Sequence, residues 1–181
     1  IVEQAGDEIG LAFLWGRLGD IAREQERYDD ALHAYLKGAL PLHAAKGNID
    51  ECLTIGQNIV RVRVHMNDNS GAIYAYERYV MPIFRYKQDR DGVAGTAWQI
   101  AELHIGANDP SSAIPYLFES LDINLNQKNV EGIKVVGNQI SAIMVGAEGS
   151  VQLLLEQTGE ATFSAGWPGL RETIRPWARG E

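Results

Sequence analysis

Apolar residues follow the spacing of an α-helix in segments that short polar phrases separate. The first segment predicts a helix from a cap at Asp7 to about Glu26, and the second predicts a helix that starts at Asp29 or Asp30 and ends at Gly47. Together they predict two antiparallel helices joined by a short turn. The apolar residues are Leu11, Leu14, Trp15, Leu18, Ile21 and Ala22 in the first helix, and Ala31, Leu32, Tyr35, Leu36, Ala39 and Leu40 in the second.

The helix pair is predicted to recur because one short phrase appears four times along the chain. Its anchor residues stand at a nearly constant interval. A fixed period of about 40 residues indicates a stacked repeat protein. The phrase reads AGDEIGLA at 5–12, KGNIDECL at 46–53, KQDRDGVA at 87–94 and QKNVEGIK at 127–134, and the anchors are Asp7, Asn48, Asp89 and Asn129.

Columns of matching residues support the repeat. When the four phrases are aligned on their anchors, two columns of the predicted first helices are apolar throughout, and a third holds small or moderately sized residues. Nearer the anchor, Cys52 shares a column with Leu11, Val93 and Ile133, which predicts a core position where the cysteine packs as a small hydrophobe. The two apolar columns read Leu18, Ile59, Ile100 and Ile140, and Ile21, Val62, Leu103 and Ile143; the third reads Gly19, Val60, Ala101 and Ser141.

Two prolines and the last repeat depart from the regular pattern. Pro41 and Pro82 lie late in the second helices, where proline removes a backbone hydrogen bond, so we expect a kink or an early end at both. In repeat four we expect a short second helix over 151–157 that breaks at Thr158-Gly159. The predicted divisions are tandem repeats over 1–147, with units at 7–47, 48–88, 89–128 and a degenerate 129–158, and a capping segment at 159–181 in which Pro168 opens a helix bearing Leu170, Ile174 and Trp177.

Seven residues of the first repeat stand at the spacing of the tetratricopeptide repeat signature: Trp15, Leu18, Gly19, Tyr28, Ala31, Tyr35 and Gly38. The longer period resembles the subclass found in kinesin light chains, Leu-Gly-Asn cell-polarity adaptors and bacterial peptide-sensing regulators. The resemblance covers about residues 5–147. It implies an all-α, right-handed α-solenoid of antiparallel helix pairs, with small residues where helices cross and first helices that line a concave groove.

The resemblance also implies which columns bind a partner. In that subclass an asparagine column on the first helices holds the backbone of an extended peptide, and a primary amide suits this because it both donates and accepts hydrogen bonds. The alternative is that these amides bond to one another across adjacent helices. Trp98 is either a binding hot spot or a packing residue. The candidate groove residues are Arg17, Asp20, Gln57, Asn58, Arg61, Trp98, Gln99, Glu102, Asn138 and Gln139.

The composition and the absence of certain motifs argue against several classes of function. The net charge of −8 argues against nucleic acid as a partner, and the chain has no apolar run of about 18 residues that could span a membrane. One cysteine cannot form an internal disulfide framework. The four histidines, His33, His43, His65 and His104, lack metal-ligand spacing, and no phosphate loop or nucleophile elbow is present. We therefore expect no enzyme activity, metal or cofactor.

The expected function is that of a cytoplasmic scaffold or adaptor that binds a protein or peptide in its groove, and the terminal repeats are candidates for self-association. An alternative is a sensor segment of a larger signalling or transcription-regulating protein. A helical-repeat enzyme and an RNA reader have less in their favour. The chain begins at Ile1 inside the repeated phrase, so we expect either a fragment of a longer array or a processed start.

Overall fold

The structure is a computed structural model that describes residues 2–174, with the side chains of residues 8–164 and 166–174. Over these ranges the chain forms nine helices and no strand, which confirms the all-helical prediction. The chain divides after Lys87 into two compact units.

Unit one contains two helix pairs, which follow one another along the chain. Helix α1 (Val2–Glu24) packs against α2, and α3 (Ile49–His65) packs against α4 and also against α2. Both second helices have three parts with a π-helical centre. Helix α2 comprises Tyr28–His33, Ala34–Ala39 and Leu40–Ala45, and α4 comprises Asn69–Ala75, Tyr76–Val80 and Met81–Tyr86.

Unit two repeats the arrangement and then departs from it. Helix α5 (Arg90–Gly106) packs against α6 (Pro110–Gln127), and α6 packs against α7 (Val130–Gly146). Helix α8 (Gly149–Phe163) lies on α6. A 3-10 turn leads to α9 (Trp167–Ile174), which contacts both α7 and α8.

The repeated phrase encodes helix starts at three of its four anchors. Asp89 and Asn129 accept hydrogen bonds from the backbone N–H groups of Gly92 and Gly132, and so cap α5 and α7. Asn48 also precedes its helix, although its side chain makes no cap hydrogen bond. The predicted cap at Asp7 is wrong, because α1 begins at Val2 and Asp7 lies inside it.

Every turn from the end of α1 to the start of α7 contains a residue with left-handed backbone. Gly47, predicted to end a helix, has φ +70°, and equivalent residues stand at the other turns of this range. These residues recur at the same interval as the repeated phrase, so the repeat is visible in the backbone conformation as well as in the sequence. The non-glycine residues in this conformation are Glu26 and Gln88 in addition to Asn67, Asn108 and Lys128.

The second helices do not end at the prolines, so of the two expected outcomes, a kink or an early end, the early end is wrong. Pro41 and Pro82 each follow a π-helical stretch, and the helices continue to Ala45 and Tyr86. A proline cannot donate to the carbonyl four residues earlier. A wider turn before it is one way in which a helix accommodates this loss.

The first helix pair is held together by two reciprocal contacts. A Cβ at Gly19 would lie 2.4 Å from Tyr35 Cε1, and a Cβ at Gly38 would lie 2.2 Å from Trp15 Cγ. Each glycine therefore leaves the space that a ring on the facing helix fills. This is the small-against-large packing that the resemblance implied.

The C-terminal part of unit two corrects one prediction. Helix α8 runs unbroken through Thr158 and Gly159, where we expected a break. Gly159 is small because Trp167 lies against it, and a Cβ there would be 2.2 Å from Trp167 Cε2. Trp167 is buried and its Nε1 donates to Glu156 Oε2 at 2.8 Å. Ile174 is also buried, whereas the predicted Trp177 lies outside the described residues.

The predicted core column is buried in the second and third repeats, half-buried in the fourth and exposed in the first. Cys52 and Val93 are buried and Ile133 is half-buried, but Leu11 is exposed. Leu18 is exposed as well, although its counterparts are core residues. The prediction of a core position was therefore right for Cys52 and wrong for Leu11.

Candidate functional site

In unit one, the candidate groove residues form a hydrogen-bond network across three helices. Asp20 Oδ1 on α1 accepts from the Tyr35 hydroxyl at 2.8 Å and from Asn58 Nδ2 at 3.1 Å. Asn58 Oδ1 in turn accepts from Arg61 Nη1 at 2.9 Å. Both ends of the Asn58 amide are thus occupied within the protein. Asn58 is only 7% exposed.

Tyr35 anchors one end of this network in the core of unit one. Tyr35 is fully buried, and burial, followed by its hydrogen bond to Asp20, raises the pKa of its phenol well above the usual range. The hydroxyl therefore stays protonated and remains a donor to the carboxylate. The sequence left open that the amides of this column bond to one another, but the Asn58 amide bonds to the Asp20 carboxylate and the Arg61 guanidinium instead.

Other groove candidates in unit one remain accessible. The Arg17 side chain is 79% exposed and its nearest carboxylate oxygen, on Asp20, is 3.8 Å away. Arg61 is exposed and Gln57 is half-buried. The accessible groups on this surface are therefore mainly cationic.

Unit two repeats the cross-helix bond with a different pair. Gln139 Nε2 on α7 donates to Glu102 Oε1 on α5, in the same two columns as Asn58 and Asp20. The Gln139 Oε1 atom is buried and has no hydrogen-bond partner among the described residues. Gln99 and Asn138 are exposed.

A cavity of about 390 Å³ lies among α5, α6 and α7 of unit two. Its size is within the range of ligand pockets. One wall is apolar, and two carboxylates, Asp91 and Glu131, stand in the first turns of α5 and α7. The lining residues are Asp91, Ala94, Gly95, Trp98, Ser120, Asn124, Asn129, Glu131, Gly132, Val135 and Val136.

Trp98 links this cavity to the interior of unit two. Its ring packs against the buried cluster of unit two and also lines the cavity, so both roles left open by the sequence are compatible with its position. The indole Nε1 is buried and has no hydrogen-bond partner in the described part of the chain. A buried Trp N–H usually finds an acceptor. The part of the ring that lines the cavity, and not the buried N–H group, is therefore the candidate contact for a ligand.

Sequence reasoning missed most of the cavity residues. Asn124 was not singled out, yet its Oδ1 accepts from Asn129 Nδ2 at 2.8 Å and its own Nδ2 donates to the Ser120 carbonyl at 2.8 Å. Asp91 Oδ1 accepts from Gln127 Nε2 at 2.8 Å. The available signal was the repeated phrase, since Asp91 and Asn129 belong to it.

The histidines and the cysteine pack as ordinary side chains. Each histidine ring contacts an aromatic ring: His33 with Trp15, His43 with Phe13, His65 with Tyr28 and His104 with Tyr116. In the described residues no group of three His, Cys, Asp or Glu side chains is placed to hold a metal ion. Burial raises the pKa of the Cys52 thiol, which disfavours the nucleophilic thiolate.

Two further findings concern membrane-spanning helices and similarity to known proteins. Within residues 2–174, no helix combines the length and apolar character needed to cross a membrane. No protein-family model matches the chain, and no curated protein is significantly similar to it.

Proposed function

We propose that this chain is a protein-interaction module of tetratricopeptide-like helix pairs, stacked as a right-handed α-solenoid, that binds an extended peptide or a partner helix along its first helices. The observation that carries the proposal is the unit-two cavity. It combines the Trp98 ring with polar side chains and an apolar wall. Such a mixture is typical of ligand pockets, in which a mostly apolar lining carries a few polar groups that orient the ligand.

The charges around the cavity favour a basic side chain of the ligand. Asp91 and Glu131 place two carboxylates on the lining, next to the face of unit two that Trp98 occupies. A lysine or arginine side chain suits this combination, because its alkyl stem packs on apolar surface and its cation is attracted by carboxylates and an indole ring. The net charge of −8 also favours encounter with a basic segment.

The exposed amides of the neighbouring columns would hold the peptide backbone. Gln99 on α5 and Asn138 on α7 are exposed, and each offers a donor and an acceptor. Asn58 is excluded from this role, because its amide already bonds to Asp20 and Arg61. The binding surface is therefore centred on unit two, and the groove residues of unit one serve mainly to join helices.

The test uses fluorescent peptides that differ only at one central position, which is Lys, Arg, Leu or Glu. We expect the Lys and Arg peptides to bind most tightly and their affinity to fall with added salt. Trp98→Ala should weaken binding by about tenfold, since a cation–aromatic contact contributes roughly 1 to 2 kcal/mol when partly desolvated. Trp98→Phe should recover part of the loss, because it keeps an aromatic ring, although a smaller one.

The matched control is Tyr86→Ala, which removes an exposed aromatic ring from unit one. It should leave peptide binding unchanged. Equal binding of the Lys and Glu peptides would contradict the charge argument. Binding that survives Trp98→Ala at full strength would contradict the site itself.

A further inference from the structure

A side-chain contact joins the two helices of each of the first three pairs at the same end. The residue just after or at the end of the second helix bonds to a carboxylate on the first helix of its own pair. We call this contact the end bridge. In the first two pairs a lysine makes it: Lys46 Nζ lies 2.6 Å from Glu8 Oε2 on α1, and Lys87 Nζ lies 2.5 Å from Asp50 Oδ1 on α3.

The third pair keeps the end bridge but replaces the lysine by a glutamine. Gln127 stands in the same column as Lys46 and Lys87, two residues before the anchor of the next phrase, and its Nε2 donates to Asp91 Oδ1 on α5 at 2.8 Å. All three residues directly precede the left-handed residue of their turn, so the backbone places them equivalently. An amide carries no charge. The exchange therefore removes a cation from this position and leaves the contact in place.

The uncharged end bridge lies beside the unit-two cavity. Asp91 lines the cavity, and so does Glu131, which stands in the same column of the next first helix. None of the described residues that line the cavity is Lys, Arg or His. The site is thus a concave space with an apolar wall, the Trp98 ring and two carboxylates, and the lysine that the repeat places beside such a carboxylate in the first two pairs is missing here.

We propose that Gln127 determines the ligand preference of this cavity. Because it takes the place of the lysine, it leaves the charges of Asp91 and Glu131 available to a primary ammonium group of the ligand, such as that of a peptide lysine. The ligand's ammonium takes the place beside Asp91 that Lys87 takes beside Asp50. This inference rests on the proposed function, since it concerns the same site, and it adds the residue that sets the charge of the ligand.

The helix dipoles do not prevent a cation from binding here. The first turn of a helix is electrostatically positive and disfavours a cation. Asp91 and Glu131 both stand in first turns, those of α5 and α7. Asp50 stands in the first turn of α3, and Lys87 nevertheless binds it, so a carboxylate at this position outweighs the dipole. The cavity adds a second carboxylate and the ring of Trp98, whose face attracts a cation.

The test uses n-butylammonium, which is the lysine side chain alone, and n-butanol as its neutral counterpart. Binding to the full chain is followed by NMR through the backbone amide signals of Gly95 and Gly132, which line the cavity. We expect n-butylammonium to shift both signals saturably and to bind more weakly as salt is added. We expect n-butanol to bind about fivefold more weakly, which is the factor that a partly exposed ion pair contributes at most.

Three variants separate the charge from the amide. Gln127→Lys restores the lysine beside Asp91 and should weaken n-butylammonium binding about fivefold without changing n-butanol binding. Gln127→Met removes the amide but adds no charge, so it should bind n-butylammonium as the natural chain does. Asn126→Lys is the matched control, because it adds the same charge at a neighbouring exposed residue that bonds to Asp122 instead; its effect should stay below about twofold.

Two results would overturn the inference: n-butylammonium that leaves the Gly95 and Gly132 signals unchanged, or equal n-butylammonium binding to the natural chain and to Gln127→Lys. The peptide series tests the proposed function separately. Peptides that bind through Trp98, together with unchanged n-butylammonium binding in Gln127→Lys, would keep the function and refute the role of Gln127. Binding of n-butylammonium that Gln127→Lys weakens, in a chain that binds none of the peptides, would support the role of Gln127 and refute the peptide function.

Discussion

Replacing Asn58 tests whether the amide column of unit one is structural. Asn58 is buried and donates to Asp20 Oδ1 at 3.1 Å, while its Oδ1 accepts from Arg61. A hydrogen bond to a charged group contributes about 1.5 to 3 kcal/mol. Arg61 is exposed, so its bond adds little. We therefore expect Asn58→Ala to lower the free energy of unfolding by about 2 kcal/mol.

The assay is urea denaturation followed by circular dichroism. For a denaturant slope of roughly 2 kcal/mol per molar urea, the loss moves the midpoint for unit one by roughly 1 M. Gln99→Ala is the matched control, because Gln99 occupies the same column and is exposed. Its effect on stability should stay below about 0.5 kcal/mol.

A double-mutant cycle with Asp20→Ala, which removes the acceptor, measures the coupling between the two residues. The two residues are in contact, so their effects should not add, and we expect a coupling of about 1 kcal/mol. Unchanged stability in Asn58→Ala, or additive effects in the cycle, would show that the contact contributes nothing. In that case Asn58 would again be a candidate for ligand binding.

Three further predictions address packing, backbone and pH. Gly38→Ala should destabilise the protein by about 1 to 3 kcal/mol, because its Cβ would overlap Trp15. Gly10→Ala should not destabilise it, because a Cβ there meets nothing within 4 Å. Thermal melts compare the two variants. Lys128→Gly should raise stability by about 1 kcal/mol, since Lys128 has φ +57° and glycine adopts this conformation without strain; urea midpoints test this. Stability should fall as pH rises above about 10, because the Tyr35 phenol ionises at this pH in the unfolded chain but, with its raised pKa, stays protonated in the folded protein. In melts across about pH 8 to 11, a Tyr35→Phe variant should lose part of this pH dependence.

Helix existence and order were predictable because the signals are local. Asp89 and Asn129 were found as anchors of a repeated phrase, and they cap helices in the structure. The left-handed turn residue was predictable only at Gly47. Gln88 and Lys128 adopt the same conformation, but neither side chain signals it.

What the sequence could not predict depends on neighbours in space. Gly159 was interpreted as a helix breaker, because nothing local reveals the Trp167 ring that lies against it. The spacing of Leu14 and Leu18 shows that they share a face, but not whether another helix covers that face. The cavity was missed for the same reason: Asn124 and Trp98 line it together only when three helices have packed.

The turns between the helices of a pair are short and held by backbone hydrogen bonds. Three residues separate the helices in each of the first three pairs. In each of these turns the backbone N–H just before the second helix donates into the last turn of the first helix: Arg27 to the Ala22 carbonyl at 2.8 Å, Asp68 to Arg63 at 2.9 Å and Asp109 to His104 at 2.9 Å. A protease needs several residues of extended, unpaired backbone. Cleavage at these turns therefore requires the flanking helices to unravel first, so digestion rates at the turns report the opening of a whole helix pair and not the motion of a loop.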